Sequence, residues 1–551
     1  MTIQQFYLLG EDPATALDIE IPSSIDEDEL RHLIASHFAI VDPNGIGFTS
    51  PTTSLPTTAD VLRTPGPISI TIDNHPVRPI PGPKGLPYIG NYLEIYPDHL
   101  GNHQRLFDRY GPLFKTTNLG SVTYHTNDPK LASIVFAESD FFSKSIIKGH
   151  PLHPIKNREA GVFLGDTDTE EWRMAHKFLP PALGPKAVRH YAPTMQVTVD
   201  QACKVFDELD EREEAWNVYP YMLKLGSQAV GKLVLGMDFG HFEAVDAPMH
   251  EMVGRIAESL SLNKQIASMG SWYASMPFGA PKQLRFVAER IRVMMEESVE
   301  RALRGTEDLE LQEAALKAEN MVDYLLHAKD SKGLKMPRNR ILEPLVVATG
   351  AGFTTTSSLL SWLLYGLVTY PGVQDRLLQE LIDHNVTADT QFTSDLTDKL
   401  TFLDHYIKET QRHHNPSFQP ARTAKVDMIL PGGYKLPRDA VVIPALHHIH
   451  HNAAVWENPG RFDPDRWGDK EAARNRPSGS YIPFATGPRM CVGFNFALQE
   501  VKVFLPKLVY RYRFERALDG PVEYDPMFQL IRPNNLYVRA ERRVKWPPRS
   551  E

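Results

Sequence analysis

The chain of 551 residues holds only two cysteines, Cys203 and Cys491, far apart in sequence. So few thiols exclude a disulfide framework and suit a reducing compartment in which a thiolate stays free. No stretch reaches the roughly 18–20 consecutive apolar residues of a bilayer-spanning helix. The first residues also lack the basic, apolar and small-residue succession of a secretory signal. These absences predict a soluble, cytoplasmic protein with no transmembrane anchor. Blocks of like charge are missing too: 59 basic residues stand against 68 acidic ones, net −9. Without a basic run there is no footprint for nucleic acid. Apolar content of 42% and charged content of 23% are those of an ordinary globular protein. The length allows one large domain plus something small.

The small part reads first. Leu17, Ile19 and Ile21 alternate with polar residues, as do Ile68, Ile70 and Ile72, which is strand periodicity. Between them Ser24 with Glu27 forms a capping box ahead of Leu30, Leu33, Ile34 and Phe38 at helical spacing. Phe6–Leu9 gives a first strand and Ile46-Gly47-Phe48 another. Strand, strand, helix, strand, strand over residues 1–76 resembles a ubiquitin-like β-grasp. An extension that packs its strands on the rest of the chain fits the same pattern. A Pro-rich linker, 77–87, follows, stiff and extended. The remainder, 88–551, is one domain.

Its most informative segment is Phe484-Ala485-Thr486-Gly487-Pro488-Arg489-Met490-Cys491-Val492-Gly493. One cysteine stands in a Gly-bounded loop ahead of an apolar helix. A thiolate can be the axial ligand of haem iron, and as ligand it favours O–O cleavage. Gly487 and Gly493 allow close backbone approach, so that amide N–H groups can tune the sulfur. Phe484 can shield it from water, and Arg489 offers a fork to a propionate. The pattern F-x-x-G-x-R-x-C-x-G resembles the signature of cytochrome P-450, the haem-thiolate monooxygenases. The resemblance covers roughly residues 78–549. It implies a mainly α fold with small β-sheets, haem b as cofactor, and Cys491 as the iron ligand.

Three further motifs stand in the order of that family. The first is Lys408-Glu409-Thr410-Gln411-Arg412, with Leu403, Ile407 and Thr410 on one helical face. Phe462-Asp463-Pro464-Asp465-Arg466-Trp467 follows some fifty residues later. The resemblance implies a buried structural cluster of Glu409, Arg412 and Arg466, costly to break because a lone buried charge remains. The second is the run Ile341–Trp362, apolar nearly all round and therefore a helix in the middle of a large protein. Gly350 and Gly352 weaken it as a helix, so something should lie against its backbone. Thr354 to Ser357 supply hydroxyls that can bond the i−4 carbonyl. Ala351–Thr356 resembles the oxygen-binding motif of the family. That likeness implies Thr355 as the hydroxyl that passes protons to the dioxygen being activated. The acidic position of the motif is Thr354 here, which can only hand a proton on. Gly352 is expected beside the cofactor.

The third motif is Glu171–Lys177, where Trp172 and His176 share a helix face. Indole and imidazole N–H groups suit a propionate. The family's soluble fatty-acid-hydroxylating branch, fused to its reductase in bacteria and fungi, has the same W-x-x-x-H. By the same likeness Lys144 is a propionate partner, and Phe163 lies over the substrate side of the haem with Phe353. That branch anchors carboxylates with Arg and Tyr on an early sheet, whereas Ser121 and His125 occupy those places here.

The chain ends at Glu551 with no flavin or iron–sulfur domain, so a separate NADPH-dependent reductase is the expected partner, with O2 and a small apolar organic substrate. Three readings stand: a monooxygenase that hydroxylates or epoxidises; a peroxygenase or hydroperoxide isomerase or dehydratase, motivated by Thr354; and a protein that binds or senses a ligand at haem without turnover. By analogy, the branch resemblance and the extra module point to a filamentous fungal secondary-metabolism or lipid enzyme.

Overall fold

The computed structural model describes residues 2–50, 53–156, 161–302, 308–417 and 420–550. At the amino terminus β1 (Thr2–Leu8) pairs antiparallel with β2 (Leu17–Ile21) and parallel with β4 (Ile68–Ile72). The order is β2-β1-β4-β3, with β3 (Ile46–Thr49) antiparallel to β4. The alternating residues Phe6, Ile19, Ile21, Ile70 and Ile72 share one buried cluster with Leu30 and Ile34 of helix α1 (Glu27–Phe38). This is the expected strand, strand, helix, strand, strand succession, similar in strand order to a β-grasp. A short α2 (Thr58–Arg63) sits between β3 and β4. The capping box of α1 is Asp26 with Glu29, two residues beyond the expected Ser24 and Glu27. Ile25 explains the shift: placed just before the cap, it joins the cluster that holds Leu30, closing the first turn as a hydrophobic staple.

The module does not hang from a free linker. Arg78–Pro79 forms β5, paired parallel with a strand of the main body. Farther along, the Lys115 amide donates to Pro81 O at 2.8 Å. The module is also stitched directly to that body. Val41 N donates to Ile429 O and Ile429 N to Ala39 O, and the Ile429 side chain completes the module's own core. Lys130 pairs with Asp42 at 2.6 Å, Lys435 with Glu11, and Gly432 N donates to Asp73 at 2.8 Å.

The main body is mostly helical. In chain order its elements include α3 (His99–Tyr110), β6 (Leu113–Asn118), β7 (Ser121–Thr126), β8 (Phe142–Ser143), α4 (Glu170–Leu183), α5 (Val218–Leu235) and α6 (Glu251–Ser268). There follow α7 (Leu342–Thr369), α8 (Thr401–His413), β9 (Arg422–Ala424), β10 (Met428–Leu430), β11 (Tyr434–Leu436), β12 (Val441–Pro444) and α9 (Phe494–Arg511). One sheet runs β6-β7-β12-β9-β8 and another β10-β11-β5. Helix α7 is the axis of the body, packed against α5, α6, α8 and α9. Its near-continuous apolar sequence follows from that, since no side of it faces bulk water.

Candidate active site

The loop before α9 is shaped by backbone contacts. Cys491 N donates to Phe484 O at 3.0 Å, and Met490 N to Gly487 O at 3.0 Å. Gly487 has φ 76°, and a Cβ there would lie 2.2 Å from Phe136 O, so no other residue fits. Phe484 turns its ring towards Phe494, 6.2 Å away. Cys491 ends up at the head of α9, where the helix dipole favours an anion. Burial pushes its thiol up, and the Gly493 amide opposes that. The side chain is deep in the fold and yet accessible, so it borders an interior opening.

Helix α7 supplies accessible groups of its own. Ala351 is exposed and Thr355, one turn on, is partly so, while Thr354 and Thr356 are buried. The hydroxyls of Thr354, Thr355 and Thr356 donate to Gly350, Ala351 and Gly352 O at 2.7, 2.8 and 3.0 Å. One expectation fails here. Phe353 is fully buried in the main core, on the far side of the helix from Ala351, and offers a substrate no surface. A Cβ on Gly352 would meet Val230 of α5 at 3.3 Å, and one on Gly350 would meet Ile256 of α6 at 3.3 Å. Those glycines admit neighbouring helices, and Gly352 itself stays partly exposed beside Ala351.

Two buried cations, Lys144 and Arg422, gather with the half-buried Arg489. Arg422 pairs with Glu138 at 2.6 Å, but its Nη2 finds no partner. Arg489 donates to the Thr167 hydroxyl at 2.9 Å and to Gly165 O at 2.9 Å, and lies over the Trp172 ring at 4.8 Å. Burial brings its guanidinium down to about 10. Lys144 sits over the Phe163 ring at 4.2 Å; burial pushes it far below the usual lysine range, and Arg489 and Arg422 push it further. Thr169 caps α4 through Trp172 N, and the Trp172 and His176 rings lie 4.7 Å apart, tilted by 31°. Burial lowers His176, and Arg489 adds to that. The anions present are few: Glu138; Glu343 of α7, which burial raises to about 7 against N–H donors from Gly161, Val162 and Phe163; and Asp166, which acts on Arg489 but is already paired with Lys156 at 2.8 Å. A buried surplus of positive charge is costly until an anion joins it. Two carboxylates on the edge of a porphyrin fit that donor set, with Cys491 facing the same interior.

The second cluster is closed on itself. Arg412 forks onto Glu409 with two bonds of 2.9 Å, both side chains 0% exposed. Arg466 Nε, Trp467 Nε1 and Asp463 N add bonds to the same carboxylate at 3.1, 3.0 and 2.8 Å. Arg412 spends its other protons on the carbonyls of His450, Pro459 and Arg461.

Four residues escaped the sequence reading. Arg422, Glu138 and Glu343 come from separate segments, and only folding brings them to Lys144. Glu500 of α9 is buried, and burial holds its carboxyl well above the usual range with the Thr356 hydroxyl offsetting it in part.

Comparison with known proteins adds the following. The family model described as Cytochrome P450 matches residues 80–538. The chain is 47% identical over 555 residues to the cytochrome P450 monooxygenase alnD of Emericella nidulans, covering 100% of both. That match takes in the amino-terminal module, which the family model leaves out. It is 27% identical to the bifunctional cytochrome P450/NADPH–P450 reductase ascE of Acremonium egyptiacum, over 84% of this chain and 43% of that one. The crystal structure of the cytochrome P450DA heme domain superposes with a TM-score of 0.74 over 85% of this chain and 98% of the other. At 22% identity that likeness is one of fold.

Proposed function

The chain belongs to the cytochrome P450 family, and from that premise we propose a monooxygenase that inserts one atom of O2 into an apolar organic substrate by hydroxylation or epoxidation. Its electrons come from a separate NADPH-dependent reductase. Bound haem b supplies the oxygen chemistry, and Cys491 holds its iron. The chain's residues do the rest. Arg489, Lys144, Trp172 and His176 receive the propionates, with Arg422 Nη2 as a further donor. Phe163, 41% exposed, presents its ring on the substrate side. Thr355 Oγ1 rests on Ala351 O and is the accessible hydroxyl of its run, so it is the atom that hands protons into the opening.

The observation that carries this reading is the accessible Cys491 at the head of α9 within reach of a cation surplus. A carbon monoxide difference spectrum of the reduced protein tests it: the red-shifted band of a thiolate ligand is expected, and a histidine-type band overturns it. Turnover with NADPH, a reductase and O2 is then expected to exceed turnover with H2O2 alone. One observation favours a second reading. Thr354 is buried and bonded to Gly350 O, with no carboxylate in its place to gather protons. Faster turnover with H2O2 than with the reductase would select the peroxygenase or hydroperoxide-rearranging alternative.

A further inference from the structure

Seven histidine rings stand in one continuous series across the body. His125 of β7 lies 4.5 Å, ring centre to ring centre, from His103 of α3, and His103 lies 6.0 Å from His448. His447, at 5.2 Å, leads to His451 at 4.3 Å, and that ring to His413 at the end of α8, 5.0 Å away. His414, 5.1 Å beyond, closes the series flat against Trp362 of α7 at 4.4 Å. Through the helical turn Leu446–Ile449 the rings thus tie α3 and the sheet to α8 and α7.

Their surroundings are those of uncharged imidazoles. His448 Nε2 donates to Leu100 O at 2.9 Å, His451 Nδ1 to His447 O at 2.8 Å and His413 Nε2 to Gly460 O at 3.1 Å. His125 Nε2 lies 3.3 and 3.1 Å from the hydroxyls of Thr116 and Thr123. One buried nitrogen each of His103, His125, His414, His447 and His448 has no hydrogen-bond partner. The charges nearby are mostly positive. Arg412 bears on His413, His414 and His451, Arg466 on His413, and Lys264 on His103, with His99 and His450 flanking the series. Of the anions, Glu409 faces His413 but is taken up by Arg412, and Asp98 and Asp108 act on His448 from the two ends of α3. Burial first, and these neighbours next, lower all seven rings below 6.5, to about 4 for His413 and His448 and about 3 for His125. An unfolded histidine takes its proton near pH 6.5. The fold is therefore the state that binds protons less, and its advantage, complete above about 6.5, drains away as pH falls towards the folded values.

We propose that this series is an acid-triggered release: a neutral clasp that frees α3 and α8 together when protons reach it, and so switches the enzyme off over a narrow span of pH. The partly exposed end at His413 and His451 admits the first proton, whose charge falls beside Arg412. Like charges so close cannot all form inside the closed fold, so the rings ionise with the opening and not one by one.

The test lowers the pH of the haem-loaded enzyme from about 8 to about 4, following circular dichroism and the Soret band of bound haem. One transition taking up about four or more protons is expected, counted from its steepness and from the heat difference between two buffers of unlike ionisation enthalpy. His103→Gln, His447→Gln and His451→Gln should each cut that count by about one, and His190→Gln, at an exposed site, should leave it unchanged. Hydrogen exchange of the unaltered enzyme covers the case of variants that do not fold: at the onset, α3 and α8 should lose protection together and ahead of the amino-terminal module. An uptake of about one proton, counts that the three variants leave as His190→Gln does, or α3 and α8 still protected while the module opens overturns the proposal.

Discussion

Around Glu409 the protein answers every charge itself, whereas around Lys144 the buried Lys144 and Arg422 and the half-buried Arg489 meet Glu138, a Glu343 that burial raises to about 7, and an Asp166 already paired with Lys156. Both groups are buried, both contain arginines, and both tie distant segments together. What separates them is saturation. The Glu409 carboxylate takes bonds from Arg412, Arg466, Trp467 and the Asp463 amide, and Arg412 passes its remaining protons to three carbonyls. Nothing is left over for a ligand. At the other site Arg422 Nη2 has no partner and the Lys144 ammonium rests on a ring face. A closed cluster holds the fold; an open one awaits an anion.

Four experiments sharpen that contrast. Cys491→Ser removes the proposed iron ligand and should abolish the thiolate-type carbon monoxide band altogether. Glu409→Gln leaves Arg412 buried without its counter-ion, so denaturant unfolding should show a loss of about 3–5 kcal/mol whether or not haem is present. Lys144→Met should do the reverse. Unfolding of haem-free protein stays unchanged or improves, because a desolvated cation is gone, while haem transfer to an acceptor globin speeds up by about 10- to 100-fold. Equal damage to both forms would erase the distinction.

The smallest effect concerns Glu343. Its carboxyl is raised from 4.5 in the unfolded chain to about 7 in the fold, so the folded state binds the proton more tightly. That preference stabilises the protein at low pH and is lost as pH climbs from about 4.5 through 7. Its slope is at most about 1.4 kcal/mol per pH unit. Glu343→Gln should flatten this part of the stability profile and leave stability near pH 4 unchanged; a slope that persists would assign it to another group.

What could be read beforehand was whatever is local. The strand alternation of Ile68, Ile70 and Ile72 and the apolar run of α7 report their own surroundings, since periodicity encodes which sides are covered. The decapeptide around Cys491 closes on itself through Cys491 N to Phe484 O, although the need for glycine at 487 comes from Phe136 O on another segment. Failures arose where a residue's reason lies on another element. Phe353 answers to the core side of α7, which its neighbours in sequence do not disclose. The cap of α1 moved because Ile25 prefers the company of Leu30. Arg422 and Glu138 lie hundreds of positions apart from one another in chain order, so their pairing is a property of topology alone.

Ile429 carries a practical lesson for anyone shortening this polypeptide. The family boundary at residue 80 invites trimming everything before it. Yet that isoleucine, from the β10 hairpin, is a keystone lent to the neighbouring module and clasped by Ala39 and Val41. Cutting at the boundary would leave a greasy knob and two unpaired amide groups facing water, a sticky edge more apt to produce inclusion bodies than a leaner enzyme.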